Sequence, residues 1–296
     1  MRGFATRTAP VEKTAAGISV TGMTNTARNA PATTAGGERL EITVLGSGSE
    51  GNALVIRAGR KGVLIDAGFS ARELRRRLAA AAIPESCLQG IVITHEHEDH
   101  IGGVRVFTST FDLPVYTTRL TGEAMKYARK APKALTIFTA GAAFSIGDFT
   151  FEPFSIPHDA SDPVGFAVHW RHRKIGVVTD LGHASSVVCD RLRECDLLVI
   201  ESNHDVRMLM NSTRPWPLKH RIAGKHGHLS NDDCMVLLKR ILHERTRHLI
   251  LAHASRECNR YDLIEQVARQ CLTLLGRTDL TPLVARQAEA LPTLGL

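Results

Sequence analysis

The chain has 296 residues, with 37 Lys and Arg against 30 Asp and Glu and a formal charge of +7. That length supports a large core, and no uninterrupted apolar run approaches the roughly 20 residues needed to cross a bilayer, so a membrane-spanning helix is not expected. Six cysteines, at 87, 189, 195, 234, 258 and 271, include no C-x-x-C pair; this argues against a disulfide framework or zinc knuckle and predicts a reducing, cytoplasmic setting.

Residues 1–38 are rich in Ala, Thr and Gly, poor in acids and without period. Such a segment buries too little apolar surface to offset its ordering entropy. The expectation is a disordered N-terminal extension, with Met23 as an alternative start, followed by one domain over 39–296. Short β-rich runs at 40–45, 53–57 and 62–65 are separated by Gly-containing turns and predict a meander. A helix follows, with Ser70 as N-cap and Leu74, Leu78 and Ala81 on one stripe. The run 91–94 predicts a buried strand that ends directly in a histidine cluster. A second strand-rich block is predicted from 135 to 178. Strands at 197–200 and 248–251 alternate with helices at 231–242 and 261–275. Two stacked sheets with helices outside would explain this order.

The chemistry centres on His95-Glu96-His97-Glu98-Asp99-His100. His95 and His97 alternate, so an extended backbone points both the same way, and Asp99 and His100 fall where a helix begins. Imidazole and carboxylate suit zinc, manganese or iron. His158, Asp180 and His253 each follow an apolar strand, where sites on layered α/β folds gather, and Asp180 is placed to bridge two cations.

The segment Thr94–His100 followed by Ile101-Gly102 resembles the signature of the metallo-β-lactamase superfamily, and Asp66 in Val63-Leu64-Ile65-Asp66-Ala67-Gly68 matches its early aspartate. The loop Leu45-Gly46-Ser47-Gly48-Ser49-Glu50-Gly51-Asn52 is similar to that of the YycJ (WalJ)-like branch. So are Pro157-His158-Asp159-Ala160-Ser161-Asp162-Pro163, Glu201-Ser202-Asn203-His204-Asp205 and Gly227-His228-Leu229-Ser230-Asn231. The resemblance covers roughly residues 40–275. It implies an αββα four-layer sandwich, with His95, His97 and His158 on a first divalent metal (Zn or Mn), Asp99, His100 and His253 on a second, and Asp180 between them. Asp66 would give structural support. It also implies catalytic roles for Asp99, which would orient water, and for His228, which would support the leaving group; the bland alternative makes His228 a neighbour of the Ser230 helix cap. The chain departs from the branch at Cys258, which places a thiol near the expected cleft.

Arg207, Arg214, Lys219, Arg221 and Lys225 lie between Asn203 and His228 with Trp216 among them, and Arg256 and Arg260 follow His253. This basic, aromatic-bearing stretch suits a nucleic-acid backbone; a solvated surface loop is the competing reading. Ser49, Asn52, Lys219, Arg221, Ser230 and Arg256 are the expected substrate contacts. The resemblance implies a nuclease acting 5′-to-3′ on DNA. The alternatives are a small-molecule phosphodiesterase, a thioester or lactone hydrolase of the same fold, and a non-catalytic nucleic-acid-binding module.

Overall fold

The computed structural model describes residues 38–296. The expected N-terminal extension lies outside the described residues except for Glu38. Strands β1 (Leu40–Gly46), β2 (Ala53–Ala58) and β3 (Lys61–Ile65) form the expected meander. Helix α1 (Ala71–Ala80) starts at Ser70, whose hydroxyl accepts from the Glu73 N–H at 3.3 Å. Strand β4 (Leu88–Val92) precedes the short α2 (Glu98–Ile101) and α3 (Val104–Phe111), then come β5 (Val115–Thr118), α4 (Arg119–Tyr127) and β6 (Leu135–Phe138). Strands β7 (Phe144–Ile146), β8 (Phe149–Ser155), β9 (Val164–Trp170) and β10 (Arg173–Val178) form a second antiparallel run. Then follow α5 (Ser186–Leu192), β11 (Leu197–Glu201), α6 (Val206–Asn211), α7 (Trp216–Ala223), α8 (Asn231–Ile241), β12 (His248–Ala252), α9 (Tyr261–Leu274), β13 (Pro282–Val284) and β14 (Leu294–Gly295).

The strands make two seven-stranded sheets, ordered β14-β1-β2-β3-β4-β5-β6 and β13-β12-β11-β10-β9-β8-β7. Each sheet is antiparallel on one side and parallel on the other, from β3 to β6 and from β10 to β13. The strand-rich block expected from 135 to 178 is thus divided: β6 closes the first sheet, and β7 to β10 open the second. The strand expected at 91–94 runs instead over Leu88–Val92. Parallel neighbours on both sides hold Gln89 and Gly90 extended despite their weak strand preference.

Alternation decides the layers. Ile42, Val44 and Ile56 point between the sheets and meet Phe149, Phe151, Phe166 and Val199. Val55, Leu64 and Ile91 point outward and are covered by Leu74 and Leu78 of α1, Phe107 of α3 and Met125 of α4. Leu198 and Leu249 face Leu192 of α5, Leu238 of α8 and Leu272 of α9 on the opposite outside. The result is an αββα sandwich, in which no helix of the described residues is long and apolar enough to cross a membrane.

Candidate metal centre

The parallel strands β3, β10 and β12 end within two residues of Asp66, Asp180 and His253, and all three residues adopt left-handed backbone angles, with φ of 59°, 56° and 55°. For non-glycine residues this conformation costs about 1–3 kcal/mol each and persists only where neighbours fix it. Here they do. The His253 N–H donates to Ser47 Oγ at 2.9 Å, and Asn203 Nδ2 donates to the His253 carbonyl at 2.8 Å. Gly68 permits the next approach, since a Cβ there would lie 1.7 Å from the Asp99 carbonyl oxygen. That closeness lets α2 present Asp99 and His100 over the end of β3.

Hydrogen bonds on the far side of each imidazole set which nitrogen faces inward. His100 Nδ1 donates to Asp66 Oδ2 at 2.7 Å, while the Thr94 N–H and hydroxyl donate to the same carboxylate at 2.9 and 2.8 Å. The Thr94 hydroxyl proton is therefore committed, so His95 Nδ1, at 3.0 Å, donates to that oxygen. His158 Nδ1 donates to the Gly227 carbonyl at 3.0 Å, and His253 Nδ1 to Glu201 Oε1 at 2.8 Å. Four Nε2 atoms are left facing one another, joined by His97 Nδ1 at 3.3 Å from His158 Nε2.

Two potential ligand groups follow, His95, His97 and His158 in one and Asp99, His100 and His253 in the other, with Asp180 beside both His95 and His100. His100 Nε2 stands 3.1 Å from Asp180 Oδ2, yet that oxygen makes no hydrogen bond. Its partner's proton is already on the other nitrogen, so two lone pairs oppose each other. His95 Nε2 is likewise buried and unpaired. Buried polar atoms without partners are costly, and a divalent cation between these atoms removes the cost. The donor set therefore fits divalent metal.

Without metal, protons take that place. Burial disfavours a charged His253, but Asp180, Asp99 and Glu201 outweigh it and raise the group to about 10. Burial likewise opposes charging of His100, and Asp180, Asp99 and Asp66 raise it well above the ordinary value. Burial opposes ionisation of Asp180 and Asp99, and the adjacent histidines nevertheless hold both carboxyls far below the carboxylate range. Two signs follow. The histidine contribution to metal-free stability is fully present below about 6.5 and is lost as pH rises through about 10. The carboxylate contribution is present above about 3.8 and is lost on acidification. Metal-free protein is expected to lose melting temperature between pH 7 and 10, and cation uptake below pH 10 is expected to release protons. Calorimetric titration in buffers of different ionisation enthalpy reads this directly; an enthalpy independent of buffer would contradict it.

Glu201 is the residue that sequence reasoning passed over. Oε1 accepts from His228 Nδ1 at 2.9 Å and from His253 Nδ1 at 2.8 Å, and Oε2 accepts from the Leu181 and Leu229 N–H groups at 2.8 and 3.0 Å. Burial opposes its ionisation, but the two imidazoles hold it charged. His228 in turn is opposed by burial and raised by Glu201 and Asp180. Its side chain stays 21% exposed, unlike the His253 side chain at 3%.

The expected substrate contacts fare unevenly. Asn52 is buried; its amide lies 3.3 Å from Asp99 Oδ2 and 3.1 Å from His100 Nε2, at the edge of the second ligand group. Ser230 is buried as the cap of α8 and donates to Asp233. Lys219 is buried and donates to the Met210 carbonyl at 2.6 Å. In these three the polar atoms are engaged within the fold. Ser49 is exposed, Arg221 pairs with Asp159, and Arg256 pairs with Glu50. Cys258 is corrected: it is buried in an apolar cluster with Leu209 and Ile222, away from the ligand groups.

A family model described as a beta-lactamase superfamily domain matches residues 61–254. Exodeoxyribonuclease YycJ of Bacillus anthracis is 35% identical over 239 residues, 80% of this chain and 90% of that protein. The chain belongs to the metallo-β-lactamase superfamily, in the YycJ/WalJ-like branch. It is a metal-dependent hydrolase. Exodeoxyribonuclease WalJ of Streptococcus pneumoniae strain D39 is also 35% identical, over 74% of this chain and 83% of that protein. Among solved structures, the metallo-β-lactamase-fold protein YhfI from Bacillus subtilis superposes with a TM-score of 0.65 at 15% identity, over 85% of this chain and 99% of that one. That likeness concerns the αββα fold alone. Superfamily members share the ligand scaffold, and their substrates are set by the surfaces around it.

Proposed function

We propose that this protein is an exodeoxyribonuclease that uses two divalent cations, Zn or Mn, to hydrolyse DNA from the 5′ end. The observation that carries the reading is the convergence of seven ligand-type side chains, among which His95 Nε2 and Asp180 Oδ2 are buried without a hydrogen-bond partner, beside a partly exposed histidine held by Glu201. The choice of DNA rests on the relatives named exodeoxyribonucleases, and the polarity on the branch resemblance alone. His95, His97 and His158 would hold one cation, Asp99, His100 and His253 the other, with Asp180 shared. When bound, such cations lower the pKa of water toward about 7 and offset charge on a phosphoryl oxygen.

The chain's own residues supply the rest. Asp99 lies on the rim of the centre with a side chain 20% exposed, so its carboxylate can both ligate and orient the attacking water. His228 keeps Nδ1 on Glu201 and presents the opposite nitrogen toward the cleft. With Nδ1 on Glu201, that opposite nitrogen is the one that can pass a proton to the departing oxygen. Asp66 fixes the His100 imidazole from behind and Asn52 steadies the Asp99 carboxylate, which keeps the reacting geometry from loosening.

The test is digestion of 5′- and 3′-labelled DNA and RNA by metal-stripped protein resupplied with Mn²⁺ or Zn²⁺. The reading expects metal-dependent release of nucleotides from the 5′ end of DNA. Release from the 3′ end would overturn the polarity, and hydrolysis of small phosphodiesters without any nucleic-acid cleavage would overturn the substrate class.

A further inference from the structure

Several of the cations expected to meet nucleic acid are paired within the fold, while Arg207 and Lys225 are exposed and pair with no carboxylate among the described residues. Arg214 pairs with Glu257, Arg221 with Asp159, Arg256 with Glu50 and Arg260 with Asp262. Lys219 is buried against the Met210 carbonyl. A second segment carries a denser set of cations. Residues 126–133, Lys-Tyr-Ala-Arg-Lys-Ala-Pro-Lys, hold four cations and no acid. They span the last residues of α4 and the turn that leads into β6.

Lys130 joins this segment to α2: its ammonium lies 2.7 Å from the exposed carboxylate of Glu98, the residue between His97 and Asp99. Lys126, Arg129 and Lys133 are exposed and pair with no carboxylate among the described residues. The turn is held in one shape, since the Arg129 N–H donates to the Lys126 carbonyl at 3.0 Å and the Lys130 N–H to the Met125 carbonyl at 2.8 Å. Arg129 has a φ of 58° there. Tyr127 stands 94% exposed between the cations. Lys133 and Arg105 of α3 line one cavity of about 500 Å³ whose only acid is Asp112. A basic last turn is often explained by the helix dipole, but that effect falls off within the turn. It accounts for Lys126 and leaves Arg129 and Lys133, beyond the helix end, without a role.

We infer that residues 126–133 form a contact surface for the sugar–phosphate backbone of the DNA strand held at the metal centre, with Tyr127 placed to stack on a base. This deepens the nuclease reading and rests on it. Free cations interleaved with an aromatic side chain are what a single strand requires of a protein surface, and the Lys130–Glu98 pair links the segment to α2, which carries Asp99 and His100.

The test is the triple variant Lys126→Gln, Arg129→Gln, Lys133→Gln, assayed on single-stranded DNA between about 50 and 200 mM salt. Metal content and melting temperature monitor its folding. KM is expected to rise several-fold while kcat stays near that of the unmodified protein. The plot of log(kcat/KM) against log salt is expected to become shallower by roughly two, from three contacts at about 0.7 each on single strands. An unchanged KM and salt slope overturns the surface and leaves the nuclease reading standing. So does a lowered melting temperature with unchanged slope, which assigns the cations to the helix end. Unmodified protein that hydrolyses small diesters but no DNA overturns both.

Discussion

Replacing Asp180 with Ala is expected to abolish metal-dependent hydrolysis, with a loss of about a thousandfold or more, equivalent to roughly 4 kcal/mol of barrier. Asp180 is the one carboxylate that stands beside both ligand groups, 3.1 Å from His100 Nε2 and 3.6 Å from His158 Nε2. Without it, the histidines of both groups face each other across the centre with nothing to hold two cations at a shared distance. Bound metal should fall from two equivalents to one or none. The variant is expected to fold with a lower metal-free melting temperature, because it loses the carboxylate that pairs with His100 and His253. Melting temperature and metal content on the same preparation check both statements. Hydrolysis within tenfold of the unmodified rate would contradict the shared-ligand role.

Replacing Glu201 with Gln is expected to cost both activity and stability. The carboxylate accepts from four donors at once, two imidazoles and two backbone N–H groups. A carboxylate is acceptor-only, whereas an amide has one acceptor atom and one donor group. If the amide oxygen serves the imidazoles, its NH₂ faces the Leu181 and Leu229 N–H groups. A buried donor left unsatisfied costs about 1–3 kcal/mol, so roughly 2 kcal/mol or more of stability should be lost. Loss of an outer partner that orients a metal-bound histidine costs about 10–100-fold in affinity or activity. Here one change releases His253 and His228 together, so kcat and metal affinity should fall in the same variant. Normal metal affinity with only a slower kcat would show that Glu201 serves His228 alone.

Much of the fold and part of the site were legible in the sequence. The cluster at 95–100 is contiguous, and it follows an apolar strand, so its placement needs no tertiary information. His158, Asp180 and His253 could be read because each follows a run that is plainly a strand. Glu201 closes such a run too, but its importance comes from imidazoles 27 and 52 residues downstream, and no local pattern carries that. The left-handed backbone at Asp66, Asp180 and His253 is equally silent, since the residues are not glycine. The surface charges misled for the same reason. Arg221 reads as a free cation until the fold brings Asp159, 62 positions away, against it. The C-terminal segment gave no periodic signal, yet Gln287 clamps the loop behind Asn52, accepting from the Glu50 N–H at 2.8 Å and donating to the Gly51 carbonyl at 2.9 Å.

The measurement that bears most directly on the two-cation centre is a titration of metal-stripped protein with Mn²⁺ and, separately, Zn²⁺. Bound metal and DNA hydrolysis are read on the same samples. The account expects two equivalents bound, with hydrolysis appearing as the second is filled. Full activity at one equivalent, or saturation at one, would contradict it.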